Sequence, residues 1–336
     1  MSYHVLSKYR AELMGAAVIW VMLFHCWDLD LGHWTLNWLR SIGYGGVDVF
    51  ILLSAMSLTM SLARREQEYA SFMARRAGRV LPAYLIVAAP YTLFYILHNG
   101  APWSALLWNC SLLYYWVQPA GAFNWYVAGI MTFYAVTPMC FRRLRRSGHR
   151  ELLTAAGILA GLAVCQMLMR DGFWGQMDLM CRVPVFFLGL MLGFYVQEER
   201  KIGLRDGLFW CCWAGLGVAY QFAVNRGEGP FLLSQYHLFL FSTVPMCLAL
   251  CWLFQRLPLG WLLRGLRFLG TYSLDIYLLN VLFVIWKEPL RQLLFFIPGL
   301  RRYYLAAFAA NIALAVPFHR LADRLRRTLE RKPDAA

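Results

Sequence analysis

Long apolar runs separated by short polar segments repeat along almost the whole chain. Most runs have roughly 18 to 22 residues, the length that a helix needs to cross the hydrocarbon core of a membrane. The predicted spans are residues 11–27, 44–62, 80–97, 125–141, 151–169, 180–197, 207–224, 233–254, 268–286 and 303–318. Because every backbone polar group must be paired within lipid, the pattern predicts an all-α fold, a polytopic transmembrane helical bundle of about ten spans.

Residues 103–120 are apolar and aromatic, but Pro102 and Pro119 interrupt the run and no basic residue flanks it. The basic segments 64–79 and 142–150 should face the same compartment, so an even number of spans should separate them. The predicted spans on either side of 103–120 already supply that number. We therefore expect 103–120 to be a re-entrant or interfacial segment on the outer side, and both chain termini to be cytoplasmic.

Composition and charge agree with a membrane protein. The 336 residues are 60% hydrophobic and only 15% charged, whereas a soluble domain is roughly half apolar and a quarter charged. Most of the net charge of +14 comes from short loops on the predicted inner side, as the positive-inside rule requires. The charge therefore indicates topology, and we expect no nucleic-acid partner. The nine cysteines form no CxxC pair, so we expect neither a disulfide framework nor a metal site.

No repeat, linker or soluble catalytic domain interrupts the pattern. We predict a single membrane-embedded domain over residues 1–336, with a core at 9–319 and a basic cytoplasmic tail at 320–336. The first apolar run contains Glu12 and His25 and lacks a small-residue cleavage site, so it does not resemble a cleavable signal peptide.

His25 lies near the outer end of the first predicted span. A histidine in or beside a membrane helix is a functional hypothesis by default, because an imidazole can take a proton from a hydroxyl and return it near neutral pH. The structural alternative is an interfacial histidine bonded to a loop carbonyl. Alternative acid–base groups on the same predicted side are His33, His98 and His237.

Asp48 lies about four residues into the second predicted span, at a depth similar to that of His25. Spans joined by a short loop usually pack as antiparallel neighbours, and a carboxylate beside an imidazole orients it. We therefore expect Asp48 to orient His25. The preceding Gly45 and Gly46 would let a substrate or a neighbouring backbone approach closely. The alternative is that Asp48 caps its own helix.

A basic cluster formed by Arg75, Arg76 and Arg79 opens the third predicted span. Guanidinium groups suit phosphate oxygens, although positive-inside topology alone also explains them. Glu12 lies about 20 Å from His25 along a helix, so it belongs to this inner boundary. We expect Glu12 to pair with one of the three arginines.

Three segments and several shorter echoes carry a family resemblance. The segments are Glu12–Gly15 with Leu23–His25, then Gly45–Phe50 with Leu53–Ala55, then Phe72, Arg75, Arg76, Arg79, Pro82 and Tyr84. The echoes are Trp125, Tyr126, Tyr134 and Pro138, then Arg182, Pro184, Phe187 and Gly189, then Gly270 and residues 273–278. In this order and spacing the chain resembles the acyltransferase family 3 integral-membrane proteins over nearly its whole length.

This resemblance implies an O-acyltransferase in a bacterial cytoplasmic (inner) membrane. The acyl group, expected to be acetyl, would pass from a cytoplasmic acyl-CoA, expected to be acetyl-CoA, to a hydroxyl of an extracytoplasmic glycan or lipid-linked sugar. The resemblance implies that His25 is the catalytic base and that the arginine cluster serves the donor. The predicted topology adds Asp48 beside His25 and Glu12 on the donor side. Residues expected to support the acceptor side are Gly45, Gly46, Ser54, Trp125, Arg182 and Asp275.

The chain departs from the pattern of the family in four places, one of them at residues Gly129, Ile130 and Met131, where many members carry a glutamate. Met14 stands where many members have arginine, Ala55 where many have glycine, and Asn280 where a histidine is frequent. These departures leave open a divergent subgroup with another acceptor, or a catalytically inactive relative. Polar groups within the predicted bundle leave open a multispan transporter or exporter of a sugar or organic acid. Neither the acceptor nor the oligomeric state follows from the sequence.

Overall fold

Helices carry the regular structure of the chain. The computed structural model describes residues 1–65, 67–226, 237–258, 260–286 and 299–330, and within these ranges no strand forms beyond an isolated bridge between Ser2 and Lys201. The helices are α1 His4–Lys8, α2 Arg10–Phe24, α3 Trp34–Ser41, α4 Gly45–Arg64, α5 Tyr69–Asn99, α6 Ser104–Cys110, α7 Tyr114–Val117, α8 Trp125–Arg146, α9 Arg150–Arg170, α10 Met177–Met180, α11 Val183–Gln197, α12 Leu204–Arg226, α13 Leu238–Arg256, α14 Gly260–Thr271, α15 Ser273–Asn280 and α16 Leu300–Glu330. The all-α prediction is confirmed for this part of the chain.

Six described helical segments are long and apolar enough to cross a membrane. They are α4, α5, α9, the segment Trp174–Gln197 that contains α10 and α11, α13 and α16. A seventh results if α14 and the following helical segment Ser273–Ile285 count as one broken span. Helix α2 has only 15 residues, fewer than a straight crossing of roughly 30 Å needs. The protein is thus multi-pass, while the count of about ten spans and the cytoplasmic termini remain predictions.

Some sequence-based expectations fall partly outside the described residues. The beginning of the predicted span 233–254 and the last six residues of the tail, 331–336, are among these. The first part of the tail is helical, because α16 continues to Glu330.

The segment 103–120 contains no helix of spanning length. It holds α6, α7 and the start of a short 3-10 turn, with seven, four and three residues. Asn109 ties it to its neighbours: its side chain donates to Thr92 of α5 over 3.2 Å and accepts from the backbone N–H of Phe123 over 2.8 Å. Tyr84 donates to the Asn109 carbonyl. These short elements agree with a non-spanning segment, and the side of the membrane on which it lies remains a prediction.

The described residues form two compact units, between which the chain passes repeatedly. The first unit comprises Met1–Ala17, Gly45–Tyr69 and Thr132–Gly270. The second comprises the described residues of Val18–Tyr44, Ala70–Met131 and Thr271–Ala336.

Close packing between α4 and α11 forms the centre of the first unit. A Cβ at Gly189 would meet the backbone of Leu52 and the side chain of Ala55, and one at Gly193 would meet Thr59. Two glycines four residues apart on one helix face allow such close helix contact in a membrane. Because the contacts advance in the same direction along both helices, α4 and α11 run parallel. This is the relative direction that the predicted order of crossings gives.

The first half of α2 crosses α14 in the first unit with almost no space between the backbones. A Cβ at Gly15 would collide with the Leu266 carbonyl, and one at Gly270 would collide with the Ala11 carbonyl. Close backbone approach therefore explains why glycine stands at both positions.

The second unit contains α16, a helix of 31 residues. This helix packs against α15, and Asn311 is buried there. Its last turns reach α5, since a Cβ at Gly78 would lie 3.2 Å from the Glu330 carboxylate. The segment expected to form a separate basic tail therefore continues the fold as far as Glu330.

Candidate functional site

His25 follows the last residue of α2 in the second unit. Its backbone N–H still bonds to the Val21 carbonyl over 3.2 Å, so the end of the helix fixes its position. The imidazole is half-buried and lies among aromatic rings, with centroids 6.5 Å from Trp27 and 6.4 Å from Tyr277. Aromatic rings therefore lie around the candidate base.

The buried amide of Asn280 holds the imidazole of His25, and the buried amide of Asn311 holds Asn280. Nδ2 of Asn280 lies 2.7 Å from Nδ1 of His25, and Nδ2 of Asn311 lies 3.3 Å from Oδ1 of Asn280. An amide nitrogen only donates, so this arrangement makes Nδ1 an acceptor and places the proton of neutral imidazole on Nε2. A half-turn of both amides exchanges oxygen and nitrogen and preserves both contacts. The amide pair can therefore stabilise either tautomer, including the one with a basic Nε2.

Replacing Asn280 by leucine should lower the acyl transfer that the family resemblance implies by up to about 10²-fold, the lower end of what a positioned acid–base group contributes. Asn280→Asp should keep more activity and shift the acidic limb of the pH–rate profile to higher pH, because a carboxylate stabilises the protonated imidazole. The measurement is initial rate against pH for both variants in membrane vesicles. If both variants kept the wild-type rate and the wild-type pH–rate profile, Asn280 would have no positioning role.

The loop after His25 is held in place by hydrogen bonds. Arg40 donates to the Cys26 carbonyl over 3.1 Å, and Tyr304 donates to Asp28. The hydrogen bond from Asn37 holds the pKa of Asp30 below its usual range. Trp27 within this loop is 54% exposed, so an open aromatic face lies beside the candidate base.

Asp48 has a cationic neighbour that the sequence pattern did not pair with it. In the first unit its carboxylate lies 3.7 Å from Nε of Arg182, and both side chains are almost fully buried. Arg182 also donates to the Asp178 carbonyl and lies 3.1 Å from the Cys181 sulfur. His25 belongs to the second unit, so the expected orientation of His25 by Asp48 remains a prediction. Asp48 and Arg182 form a buried ion pair.

The glycines before Asp48 are packing positions in the structure. A Cβ at Gly45 would overlap the ring of Phe239, and Gly46 is buried. Ser54 is half-buried on the same helix. Gly45 thus accommodates a neighbouring aromatic ring, where the sequence suggested a backbone or a substrate.

The expected pairing of Glu12 with the arginine cluster is corrected. Both Nε and Nη2 of Arg267 donate to one Glu12 oxygen, over 2.9 and 2.6 Å. Glu12 is 1% exposed and Arg267 is 64% exposed. The close crossing of α2 and α14 brings the two residues together across a long sequence separation, which is why no local pattern revealed the pair.

The arginine cluster lies in the first turns of α5, in the second unit. Arg75 and Arg79 are exposed, and Arg76 is half-buried with its guanidinium 5.4 Å from the ring of Phe72. Gly78, between them in sequence, contacts the end of α16. The cluster is accessible, and its role with the donor stays a prediction.

Trp125 begins α8, which Asn124 caps by accepting from the backbone N–H of Val127 over 3.0 Å. The Asn124 amide also donates to the hydroxyl of Tyr277 over 2.9 Å. Tyr277 is the ring that lies near His25. This hydrogen bond links the start of α8 to one of the aromatic rings near His25.

Asp275 has a partner that the sequence analysis missed. Nδ1 of His319 lies 3.0 Å from the Asp275 carboxylate, and Nε2 lies 3.7 Å from Asp323. His319 stands at the end of the predicted core, and its spacing from Asp323 is the available sequence signal.

The other candidate histidines are occupied differently. Nδ1 of His33 accepts from the backbone N–H of Thr35 and caps α3, and His98 stacks on Phe94. His237 is buried where α13 begins. Among the described residues no group of three or more His, Cys, Asp or Glu side chains is arranged to hold a metal ion.

Comparison with known proteins gives the family. The sequence model of an acyltransferase domain matches residues 15–320. A protein named as a membrane-bound transacylase, BcsY, of Komagataeibacter xylinus is 27% identical over 290 residues, covering 79% of this chain and 70% of the relative. The acyltransferase MdmB of Streptomyces mycarofaciens is 25% identical over 319 residues, covering 86% and 79%. No solved structure matches significantly. Since the family model covers nearly the whole chain, the protein belongs to acyltransferase family 3.

Proposed function

We propose that this acyltransferase moves an acyl group, in its simplest form acetyl, from a cytoplasmic acyl-CoA to a hydroxyl of an extracytoplasmic glycan or lipid-linked sugar. The proposed location is the bacterial cytoplasmic membrane. The observation that carries the proposal is the His25 imidazole, held by Asn280 beside an exposed tryptophan, in a chain of an acyltransferase family.

In the proposed step His25 takes the proton of the acceptor hydroxyl. The hydroxyl oxygen then attacks the thioester carbonyl and forms the new ester bond. The carbon–sulfur bond breaks, and the departing thiolate takes up a proton, which His25 can return. The imidazole thus ends the cycle in its starting state.

The surroundings of His25 favour a sugar-bearing acceptor. The ring of Trp27 is half exposed, and the described residues accept no hydrogen bond from its indole N–H. Binding pockets for small molecules are commonly lined by aromatic rings with a few placed polar groups. A sugar ring, with an apolar C–H face and hydroxyls at its edge, matches this combination.

Donor binding is proposed at the exposed Arg75 and Arg79 with the neighbouring Arg76. Guanidinium groups bind the phosphate oxygens of a coenzyme A ester through charge-assisted hydrogen bonds. This assignment needs the arginine cluster on the cytoplasmic side, as the positive-inside rule predicts.

The test uses sealed inside-out membrane vesicles that contain the protein, so that added acetyl-CoA, labelled in the acetyl group, reaches the cytoplasmic face. We expect label in the glycan or lipid-linked fraction, and none with vesicles lacking the protein. Movement of sugar or organic acid without label transfer would support a transporter and overturn the proposal. Mass spectrometry of surface polysaccharides with and without the protein would then identify the acceptor.

A further inference from the structure

A cavity of about 570 Å³ lies in the first unit, between the end of α4 and the C-terminal part of α8. One face of α8 lines it, through residues spaced by one, three or four positions. These residues are Pro138, Phe141, Arg142, Arg145 and Arg146. The opposite wall consists of Leu62, Gln67 and Glu68. Leu62, Pro138 and Phe141 give the cavity an apolar floor, and Arg142, Arg145 and Arg146 give it a strongly basic rim.

The rim carries an excess of positive charge, with three arginines facing one carboxylate. Arg142 and Arg146 are exposed and make no ion pair within the described part of the chain. Arg145 lies 5.9 Å from the ring of Phe141. One carboxylate against three arginines leaves an excess of two positive charges, so the rim suits an anion with more than one negative charge.

The apolar floor indicates which kind of anion would fit the cavity. Leu62, Pro138 and Phe141 are buried, so a ligand that fills the cavity places apolar atoms against them. We propose that the cavity binds an amphipathic phosphate ester, with its phosphate on the arginine rim and its apolar part on the floor. Planar guanidinium groups are suited to phosphate because they form paired, charge-assisted hydrogen bonds.

Two sources share this chemistry: a soluble nucleotide ester and an anionic phospholipid of the surrounding membrane. The residues that line the cavity include none of the arginine cluster of α5. The binding property of the cavity needs no assumption about the acyl transfer proposed above. Binding is therefore the readout, and loss of catalysis would not affect the conclusion.

Basic residues at a helix end also follow from positive-inside topology and the helix dipole. Arg143 separates these explanations. It is exposed and belongs to the same basic run, but it does not line the cavity. Topology and dipole treat Arg143 and Arg142 alike, whereas a phosphate site distinguishes them.

The experiment compares the purified wild-type chain, the Arg142→Gln/Arg146→Gln variant and the Arg143→Gln variant. Adenosine 3′,5′-bisphosphate binding is measured by calorimetry, and retention of phosphatidylglycerol against phosphatidylcholine is measured by native mass spectrometry. We expect one probe to bind the wild type, and the double variant to weaken its affinity about tenfold or more, since hydrogen bonds to charged groups are lost. Arg143→Gln should stay within about twofold.

Nucleotide binding would identify a soluble ester, and selective lipid retention would identify a membrane lipid; each supports the site. Absence of binding for both probes, or an equal loss in Arg143→Gln, would overturn it. If the double glutamine variant fails to fold, Arg142→Lys/Arg146→Lys keeps the charge and removes only the guanidinium fork. That variant should also bind more weakly than Arg143→Lys, and equal binding would contradict the proposal.

Discussion

Replacing His25 by alanine is expected to lower acyl transfer by about 10²- to 10⁴-fold, the range that a positioned general base contributes. His25 is half-buried at the end of α2, and no second histidine lies beside it among its described contacts. Insertion and accumulation should be unchanged, because removing the ring deletes one hydrogen bond to Asn280 at the end of a helix. The rate is measured as label transfer in vesicles containing matched amounts of protein.

His98→Ala is the matched control for this prediction. His98 was an alternative acid–base group, and its ring stacks on Phe94 at the end of α5. Its removal should leave the rate within about twofold of wild type, as expected when no acid–base contribution is lost. If His25→Ala kept the wild-type rate and His98→Ala lost it, His98 would be the catalytic base. That result would refute the proposed mechanism.

Replacing Arg182 by methionine should destabilise the protein by about 3–5 kcal/mol, because it leaves the carboxylate of Asp48 buried without its cation. The two side chains are 3% and 2% exposed, so water cannot replace the lost partner. The double variant Asp48→Asn/Arg182→Met removes both charges and should recover part of the loss. Thermal unfolding in detergent, followed by circular dichroism, measures both effects.

The control for this prediction is an ion pair whose side chains are partly exposed. Arg326 and Glu330 face each other on α16 at 3.4 Å, with side chains 40% and 58% exposed. Arg326→Met should cost less than about 1 kcal/mol, because solvent screens a surface pair. If Arg182→Met proved no more harmful than Arg326→Met, the pair with Asp48 would have no structural importance.

Local sequence patterns reveal those parts of the molecule that depend on nearby residues. The apolar runs predict α4, α5 and α9, because a single segment in lipid can pair all its backbone polar groups only as a helix. His25 is recognisable because a polar ring at the end of an apolar run is unusual. The interruption by Pro102 and Pro119 correctly marks a segment without a long helix.

Long-range partners could not be predicted in this way. Glu12 pairs with Arg267, and His25 contacts Asn280, each across 255 positions. Such contacts depend on where helices cross, and the crossings depend on glycines whose neighbours lie far away in sequence. The sequence marks Asn280 as a polar residue within a predicted span and as a departure from the family pattern, and the structure gives it His25 as a partner.

The parallel packing of α4 and α11 has a consequence for biosynthesis. Asp48 is made about 130 residues before Arg182, an interval of roughly 7 to 26 s at the usual rate of synthesis. During that time α4 must enter the membrane with a carboxylate that has not met its cation, and such a group is costly in lipid. The nascent chain should therefore keep α4 beside the insertion machinery, or with Asp48 protonated, until α11 emerges.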